Sequence, residues 1–368
     1  MKKTSVRLAD GRELIYYDAG EGAPVRDAVD RRSLPPAATS SQARFDPLLR
    51  EWVVIASHRQ GRTHLPPADE CPLCPSREGR LSEIPAADYE VAVFENRFPS
   101  LTGAPAGLSG DGGALLPRMP GAGRCEVVCF TSDHHTSFAD LSEERAALVL
   151  AAWTDRTAEL SRLPGVEQVF CFENRGEEIG VTLGHPHGQI YAYPFTTPRT
   201  ARMLDSVAAY GAAHPGANLF GELLAAERAD GSRIVLDTAH WTAFVPHAAH
   251  WPYEVHLYPR QRAADLTELD DKAREEFPAV YLELLRRFDR IFDEGAGQPP
   301  TPYVAAWHQA PVHDVRRGEF ALHLELFTVR RTAAKLKYLA GSESAMDVFV
   351  NDVPPEQAAA RLREVASA

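Results

Sequence analysis

Hydrophobic and polar positions follow two periods along this chain, and these periods predict its elements. Runs rich in β-branched and aromatic residues predict strands at residues 51–57, 89–94, 126–131, 168–173 and 189–193. Between the third and fourth runs, apolar residues recur at helical spacing over residues 142–163, and Ser142 followed by two glutamates predicts the N-cap. Residues 101–123 are crowded with glycine and proline, which predicts a surface excursion.

The same order of elements starts again in the second half of the chain. Glu126 and Glu254 each belong to a strand pattern and are 128 residues apart, as are Leu141 and Leu269 at the two helix starts. The second copy is completed by a long helix and two strands, at residues 270–294, 303–307 and 320–329. We interpret this as an internal duplication with a strand–helix–strand–strand core in each half. Chance similarity of two amphipathic segments is the alternative.

Length and charge narrow the range of functions. The chain has 368 residues, of which 39 are lysine or arginine and 51 are aspartate or glutamate, giving a formal net charge of −12. This length predicts two domains or one fold built twice, and the charge excludes a broad surface for nucleic acid or anionic membranes. The first thirty residues lack an apolar signal-peptide core, and the longest apolar runs are too short to span a membrane. A cytoplasmic protein is therefore expected.

The most informative segment is Gly-His-Pro-His-Gly-Gln at residues 184–189, at the entry to a strand. His185 and His187 are two residues apart, which places side chains on one face of a strand. A histidine can attack phosphorus as a nucleophile when its other ring nitrogen is held in one tautomer. Gly188 is predicted to let the backbone approach a phosphate, and Gln189 to donate its amide to a phosphoryl oxygen. The alternative is a strand start with two exposed histidines.

The cysteines predict a metal or redox pair rather than a disulfide framework. Their number is odd, five, and two of them form Cys71-x-x-Cys74. A tetrahedral zinc site needs two further ligands, for which the candidates are His134 or His135, and His185. A pair of buried or redox thiols is the alternative. The other three lie within strand patterns and are predicted core residues: Cys125, Cys129 and Cys171.

These residues together resemble the galactose-1-phosphate uridylyltransferase family of the histidine-triad superfamily, from about Arg44 to the C-terminus. The most specific match is His-Pro-His-Gly-Gln preceded by Phe-Glu-Asn-Arg-Gly at residues 172–176. The other matching pieces are Arg59-x-x-Arg62, Cys71-x-x-Cys74, Phe-Glu-Asn-Arg-Phe at 94–98, Asp133-His134, Trp307-His308 and the tail over 337–362.

The resemblance implies an α+β fold in which a histidine-triad unit is duplicated. Each half would contain an antiparallel sheet and a long helix, and the two sheets would join into one large sheet. The expected units are an N-terminal arm at residues 1–43, a half with the nucleophile and zinc site at 44–197, and a half with a degenerate site and a hexose-phosphate loop at 198–368. The arm, rich in glycine, alanine and proline, is expected to be extended, to wrap the domain and to carry no chemistry.

The chemistry implied is a ping-pong exchange of the Leloir pathway of galactose metabolism. His187 would attack the α-phosphorus of UDP-glucose, expel glucose 1-phosphate and carry UMP, which galactose 1-phosphate then takes to give UDP-galactose. Gln189 stands where histidine-triad hydrolases carry a third histidine. In the family, this replacement of histidine by glutamine keeps the uridylyl intermediate for a sugar phosphate rather than for water. The expected partners are these small molecules and a second copy of the chain in a homodimer, with neither nucleic acid nor membrane.

The resemblance also assigns ligands and substrate contacts. It implies a structural zinc held by Cys71, Cys74, His134 and His185. It implies nucleotide and phosphate contacts from Arg59, Arg62, Asn96, Arg97, Asn174, Gly180 and Thr182, with Gln189 beside them. Arg97 replaces an acidic residue of the commoner pattern, and Thr182 a serine. The hexose-phosphate loop would comprise Lys337, Gly341, Ser342 and Glu343, with Ser342 where many relatives have tyrosine.

A second metal, often iron in the family, is implied for the second half. Its ligands here would be His308, His323 and Glu325, where Glu325 replaces a histidine and Met203 stands in place of a further carboxylate. Two histidines and one carboxylate are suited to zinc or iron. An empty or partial site is the alternative, and in either case the metal is not expected to be catalytic.

Three other functions compete with this one. An adenylyl-transferring phosphorylase acting on ADP-glucose or a dinucleoside polyphosphate would share the same core motif, with Asn96 and Arg97 deciding the base. A zinc-stabilised nucleotide-binding protein without catalysis would not need His187 and Gln189. A histidine-triad hydrolase is disfavoured by Gln189. The hexose, the nucleobase and the oligomeric state are left open by the sequence.

Overall fold

The computed structural model describes residues 1–20, 22–35, 41–61, 66–103, 110–292 and 300–367. Arg62, a predicted phosphate contact, lies outside these residues. The strands are β1 (Lys2–Arg7), β2 (Glu13–Asp18), β3 (Gln42–Asp46), β4 (Glu51–Ile55), β5 (Val91–Glu95), β6 (Arg118–Pro120), β7 (Arg124–Cys129), β8 (Gln168–Arg175), β9 (His187–Tyr193), β10 (Ile234–Asp237), β11 (Trp241–Phe244), β12 (Tyr253–Pro259), β13 (Tyr303–His308), β14 (His323–Thr328), β15 (Arg330–Thr332) and β16 (Lys335–Leu336). The helices are α1 (Glu143–Leu160), α2 (Pro198–Ala213), α3 (Leu219–Asp230), α4 (Asp271–Arg290), α5 (Gly341–Met346) and α6 (Pro355–Glu364).

One antiparallel sheet of eleven strands organises the molecule, in the order β1-β2-β5-β7-β9-β8-β13-β14-β12-β11-β10. Outward from its centre, β8, β9, β7, β5 and β2 on one side correspond to β13, β14, β12, β11 and β10 on the other. The two series join where β8 pairs with β13, from Arg175 opposite Tyr303 to Phe172 opposite Ala306. The α+β fold built twice, with two antiparallel sheets joined into one, is therefore confirmed.

Two long helices, one from each copy, cover the same face of this sheet. Ser142 accepts a hydrogen bond from the backbone N–H of Arg145 and Asp270 accepts one from that of Ala273, so both predicted helix starts are capped. Helix α4 ends at Arg290, four residues before the predicted end, at 294. The helices and sheet enclose one large apolar core. Burial of this core is the main favourable contribution to folding.

Strand β9 shows how the core determines which side chains reach the site. Ile190 and Ala192 belong to the apolar core, and the residues that alternate with them along β9 are half-buried on the other face. Because side chains alternate along a strand, His187 and Gln189 share that opposite face. The nucleophile candidate is thus positioned by the burial of its neighbours.

The N-terminal segment differs from the predicted extended arm. Strands β1 and β2 form a hairpin around Gly11, whose φ of +86° favours glycine, and β2 pairs with β5 to extend the large sheet. Ile15 faces the main core, whereas Leu14 and Tyr16 belong to a smaller apolar cluster. The hairpin is stabilised because both faces of β2 are buried. It was not predicted, since the glycine and proline content of the whole segment favoured an extended arm.

The small sheet β4-β3-β6 lies outside the large one and positions Arg59. Strand β6 lies within the predicted surface excursion, and Arg59 follows β4 in a short 3-10 helix, Ser57–Gly61. Trp52 of β4 stacks on Phe195, with ring centroids 6.2 Å apart, just beyond the end of β9. No helix in the described ranges is long and apolar enough to cross a lipid bilayer.

Candidate active site and metal clusters

His187 lies at the start of β9 with only one ring nitrogen available for chemistry. Its Nδ1 lies 2.7 Å from the carbonyl oxygen of His185, which can only accept, so Nδ1 carries the hydrogen and Nε2 keeps its lone pair. Burial lowers the pKa of His187, which favours the neutral, nucleophilic ring at neutral pH. The side chain lines two adjoining cavities. This is the arrangement that a nucleophilic histidine needs.

Gly188 has a packing role that the sequence did not predict. A Cβ atom there would lie 2.7 Å from the carbonyl oxygen of Phe172 and 2.9 Å from Cζ of Phe130. The glycine is therefore required by close packing between neighbouring strands and the core. Close approach of its backbone to a phosphate stays a prediction.

The first cavity brings together six of the predicted substrate-site residues. They are Arg59, Asn96, Arg97, Thr182, His187 and Gln189. The Nη1 group of Arg59 hydrogen-bonds the hydroxyl of Ser100, and its buried Nε has no partner among the described residues. An unpartnered guanidinium nitrogen beside the nucleophile is suited to an anionic ligand. Three lining residues that the sequence analysis missed are Leu73, Glu83 and Phe94.

The second cavity shares His187 and Leu183 with the first and includes Asn174 among its lining residues. Gly180 is in the same loop with a φ of +83°, but it lies between lining residues and is not itself one of them. Glu173, also missed from the sequence, lines this cavity with a buried Oε2 that has no partner in the described part of the chain. Burial raises the pKa of Glu173 to about 7.

Arg175, within the Phe-Glu-Asn-Arg-Gly motif, connects the two copies of the fold. Its guanidinium pairs with Asp289 of α4, donates to the carbonyl oxygen of Thr301 and lies 4.2 Å from the ring centroid of Tyr303. All three partners belong to the second copy. Arg175 also lines the second cavity beside Asn174, so it combines a place in the cavity wall with a structural role.

Four predicted zinc ligands form one cluster. The ligand atoms of Cys71, Cys74, His134 and His185 all lie within 4.8 Å of one another, and His135 is not among them. Sγ of Cys74 lies 3.4 Å from Nδ1 of His134 and 3.6 Å from Nδ1 of His185. A tetrahedral zinc ion with ordinary bond lengths separates such sulfur and nitrogen ligands by about 3.5 Å. Two thiols and two imidazoles at this spacing fit zinc.

The second nitrogen of His185 is held in a way that prepares the first for a metal. Nε2 lies 2.8 Å from the hydroxyl of Tyr89 and 2.8 Å from the carbonyl oxygen of Thr131. Tyr89 donates its own hydrogen to the carbonyl oxygen of Leu73, so Nε2 of His185 is the donor. Nδ1 therefore keeps its lone pair facing Cys74, as expected for a ligand histidine.

The residues predicted for a second metal also come together, but with additional neighbours. Nε2 of His308 lies 2.9 Å from Oε2 of Glu325, and the rings of His308 and His323 stack 4.7 Å apart. The ligand atoms of a different set, Glu254, His256 and Glu325, all lie within 4.8 Å of one another. His256, which was not among the predicted ligands, lies directly opposite Glu325 across β12 and β14.

A guanidinium already contacts the carboxylate of this second cluster. Nη1 of Arg199 lies 2.6 Å from Oε2 of Glu325, whereas the buried Oε1 has no partner among the residues described. Met203 packs into a neighbouring apolar cluster. Although burial raises it, the pKa of Glu325 is held low by the hydrogen bond from His308 and by nearby positive charge. The free Oε1 is compatible with a bound metal ion, although the Glu325 carboxylate to which it belongs is already partly neutralised by Arg199.

The predicted hexose-phosphate loop lies away from both cavities. The described residues that line them do not include Lys337, Gly341, Ser342 or Glu343. Instead, Nζ of Lys337 lies 2.8 Å from Oε1 of Glu343, and the Ser342 hydroxyl donates to the carbonyl oxygen of Val348. Within one chain, the structure does not join this loop to His187.

Comparison with known families gives the identity of this arrangement. Residues 33–197 match the model of the galactose-1-phosphate uridyl transferase N-terminal domain, and residues 203–368 match that of the C-terminal domain. The chain belongs to the galactose-1-phosphate uridylyltransferase family. The resemblance found in the sequence is thereby confirmed, and so is the enzyme class, a UDP-glucose–hexose-1-phosphate uridylyltransferase.

Individual relatives agree with this family. A galactose-1-phosphate uridylyltransferase of Streptomyces lividans is 60% identical, over 100% of this chain and 98% of its own. One of Thermotoga maritima is 35% identical, over 88% of this chain and 98% of its own. A solved uridylyltransferase superposes with a TM-score of 0.77 at 29% identity, covering 88% of this chain and 98% of that one. An Arabidopsis thaliana ADP-glucose phosphorylase, at 22% identity and a TM-score of 0.65, shares the fold.

Proposed function

We propose that this chain exchanges UMP between UDP-glucose and galactose 1-phosphate through a uridylyl group on His187. The observation that carries the proposal is the tautomer of His187. Its Nδ1–H is bound by the His185 carbonyl, and Nε2 is available in a cavity that Arg59, Thr182 and Gln189 also line. This places a nucleophile beside groups that bind phosphate oxygens. The reaction belongs to the Leloir pathway of galactose metabolism.

The residues support a balanced two-step transfer. In the first step Nε2 of His187 forms a bond to the α-phosphorus, the bond from that phosphorus to the bridging oxygen breaks, and glucose 1-phosphate leaves. The resulting positive ring is stabilised by the Nδ1–H bond to His185. In the second step a phosphate oxygen of galactose 1-phosphate attacks the same phosphorus, the P–N bond breaks, and His187 is restored as UDP-galactose leaves.

Neighbouring groups have separate tasks in this transfer. The Arg59 guanidinium stabilises charge on the phosphoryl oxygens, and Asn174 and Thr182 hold the nucleotide phosphates. The amide of Gln189 donates a hydrogen bond to a phosphoryl oxygen. Because an amide does not ionise, it cannot activate water as a base would.

The adenylyl-transferring alternative is not favoured. Two curated relatives, at 60% and 35% identity, are named galactose-1-phosphate uridylyltransferases, and the ADP-glucose phosphorylase shares the fold at 22% identity. The deciding experiment is intact mass after incubation with UDP-glucose or ADP-glucose. We expect a UMP adduct that is absent in His187→Gly and present in His313→Gly, an exposed histidine chosen as the control. An AMP adduct, or intersecting initial velocities with no adduct, would contradict the proposal.

We propose a structural zinc ion at Cys71, Cys74, His134 and His185. Bound zinc would stabilise the fold by joining the 71–74 loop to the start of β9, without entering the reaction. Elemental analysis should find this zinc in the purified protein, and Cys71→Ser should lose it and lower the melting temperature. Cys125→Ser is the matched control, because Cys125 is equally buried but is not in the cluster. Equal zinc contents in the two variants would refute the site.

A second metal, iron or zinc, is proposed for the cluster around Glu325. Its free Oε1 and the imidazoles of His308 and His323 would hold the ion, with Glu254 and His256 adjacent. Elemental analysis of Glu325→Gln beside the wild type tests this. We expect the variant to lose the second metal while keeping the zinc of the first cluster. An unchanged metal content would rule the site out.

We propose a cytoplasmic homodimer in which the Lys337 loop of one chain serves the His187 cavity of the other. The loop does not line the cavities of its own chain in the described structure, and its cation is suited to a sugar phosphate. The cysteines of the chain are unpaired, which agrees with a reducing compartment. Mixing inactive His187→Gly with inactive Lys337→Ala should restore part of the activity after subunit exchange. No recovery in a mixed dimer would contradict this arrangement.

A further inference from the structure

Glu83 is a buried carboxylate in the wall of the first cavity, with 5% of its surface exposed. Three arginines surround it. Nη2 of Arg12 lies 2.5 Å from Oε2, Nη1 of Arg32 lies 2.8 Å from Oε1, and Nη1 of Arg97 lies 3.9 Å from the same Oε1. Of the three, Arg97 also lines the cavity.

Two of these arginines come from the N-terminal segment. Each is paired with an aspartate of its own, Arg12 with Asp10 at 2.8 Å and Arg32 with Asp30 at 2.8 Å. With Glu83 and Arg97 the network contains three carboxylates and three guanidiniums, so its charges balance. Burial of such a network is tolerated only when every charge has a partner. Arg12 and Arg32 both precede residue 33, where the family-model match begins.

Arg12 also fixes the strand end that carries the nucleoside-site residues. Its Nη1 donates to the carbonyl oxygen of Glu95 at 2.7 Å, and only 2% of the arginine is exposed. Glu95 is the last residue of β5, and Asn96 and Arg97 follow it directly. One buried guanidinium therefore holds both the Glu83 carboxylate and the backbone that leads into Arg97.

Arg97 is held less tightly than the arginines behind it. Its side chain is 42% exposed, and 3.9 Å is a charge pair rather than a hydrogen bond. Since no hydrogen bond to another described residue engages its N–H groups, they can donate to a ligand in the cavity. Without the negative charge of Glu83 behind it, the long Arg97 side chain would sample many conformations in solvent instead of keeping one orientation.

We propose that Glu83 is a positioning residue for nucleotide binding, which directs the Arg97 guanidinium at neutral oxygen atoms of the nucleoside and is itself held by the N-terminal segment. This rests on the proposed function, because it takes the first cavity as the nucleotide site. This role explains how an arginine can bind the nucleoside at a position where the commoner family pattern has an acidic residue. An acidic side chain accepts hydrogen bonds from the nucleoside, whereas Arg97 donates them.

The test is a double-mutant cycle on UMP affinity, measured by calorimetry with the full chain. We expect Glu83→Gln and Arg97→Ala each to weaken UMP binding about tenfold, the effect of losing one charge-assisted hydrogen bond. The double variant should be no weaker than Arg97→Ala alone, because Glu83 acts through Arg97. Full additivity, or unchanged UMP affinity in Glu83→Gln, overturns the proposal.

Two controls keep this outcome clear. Glu90→Gln changes another carboxylate that binds the N-terminal segment, through the backbone N–H of Ala19, but does not line the cavity, so its UMP affinity should equal that of the wild type. Arg97→Ala alters an exposed side chain and should fold even if Glu83→Gln does not, and unchanged UMP affinity in it also overturns the proposal. A wild-type chain that binds no UMP would instead contradict the proposed function.

Repeating the titration with 2′-deoxyUMP identifies the oxygen atoms concerned. If Arg97 contacts the ribose, the wild type should prefer UMP over the deoxynucleotide about tenfold, and Arg97→Ala should lose that preference. If the preference persists while both ligands bind about tenfold more weakly, uridine, which lacks the phosphate, is titrated next: the same loss in Arg97→Ala places the contact at the base carbonyl groups, and no loss places it at the phosphate and overturns the proposal. A contact to either the ribose or the base supports the positioning role.

Discussion

The carbonyl oxygen of His185 lies 2.7 Å from Nδ1 of His187, while the imidazole of the same His185 faces the thiol of Cys74. One residue therefore takes part in the metal cluster with its side chain and sets the tautomer of the nucleophile with its backbone. A metal that holds His185 also holds the acceptor for His187. A metal bound at this cluster would in this way support the proposed chemistry of His187 without contacting substrate.

Tyr89→Phe should weaken the zinc cluster, because it removes the hydroxyl that accepts from Nε2 of His185. We expect a loss of about 1 kcal/mol in unfolding free energy and a decrease in zinc affinity of about tenfold. Chelator competition and thermal melts measure the two effects. Tyr281→Phe is the control, since that buried hydroxyl has no partner within the described ranges and its removal should leave zinc affinity unchanged.

Glu173→Gln should change how stability depends on pH. Burial raises the pKa of Glu173 to about 7, so the folded state binds a proton that the unfolded state has released above its ordinary value near 4.5. Wild-type stability should therefore fall as pH rises from about 4.5 to about 7. The glutamine variant lacks this loss and should be more stable at pH 8, by up to about 3 kcal/mol. Denaturant unfolding at pH 5 and pH 8 measures the difference, and an equal gain at both would contradict the prediction.

Gly188→Ala should destabilise the protein by about 1–3 kcal/mol, since its methyl group would overlap the Phe172 carbonyl and the Phe130 ring. Gly184→Ala is the matched control four residues earlier, where the nearest atom to a new Cβ is 3.9 Å away. Comparing the melting temperatures of the two variants distinguishes a steric clash at Gly188 from a general intolerance of this segment to substitution. Similar melting temperatures would show that the strand can shift.

Arg175→Met should weaken the junction between the two copies of the fold. It breaks the pair with Asp289 and removes donors to the Thr301 carbonyl, leaving a partly buried carboxylate, and we expect about 3 kcal/mol of destabilisation. Arg331→Met is the control, because its pair with Asp352 is exposed and should contribute less than about 1 kcal/mol. In the folded fraction, UMP labelling of His187 should persist, because the Arg175 guanidinium bonds Asp289 and Thr301 and has no proposed role in the transfer.

The parts of the site that the sequence predicted are those carried by local motifs. His187, Gln189 and the Cys71–Cys74 pair lie in short segments whose spacing already limits the chemistry. The copies of the strand–helix–strand–strand unit were also recognisable, because two landmarks repeat with one offset. In contrast, the residues alone could not choose between His134 and His135, and the choice came from the family resemblance. In the structure His134 reaches Cys74, whereas His135 is not in the cluster.

Other parts depended on contacts between distant segments. Glu83 meets Arg12 across 71 residues of sequence, and Arg199 meets Glu325 across 126. No local signal marks such pairs, because any surface carboxylate and arginine look alike until the sheet brings two of them together. The N-terminal hairpin was missed for the same reason: its strands become stable only when β2 pairs with β5.

The amino-acid sequence by itself determined the candidate nucleophile, the cysteine pair and the doubled fold, because each rests on residue types at short or regularly repeated spacings. Only the tertiary structure decided which charges face one another: that Arg97 lies against Glu83, that Arg199 occupies one oxygen of Glu325, and that Gly188 serves packing. The physical reason is that electrostatic and steric contacts depend on distance in space, which the chain acquires only when its eleven-stranded sheet and helix layer have formed.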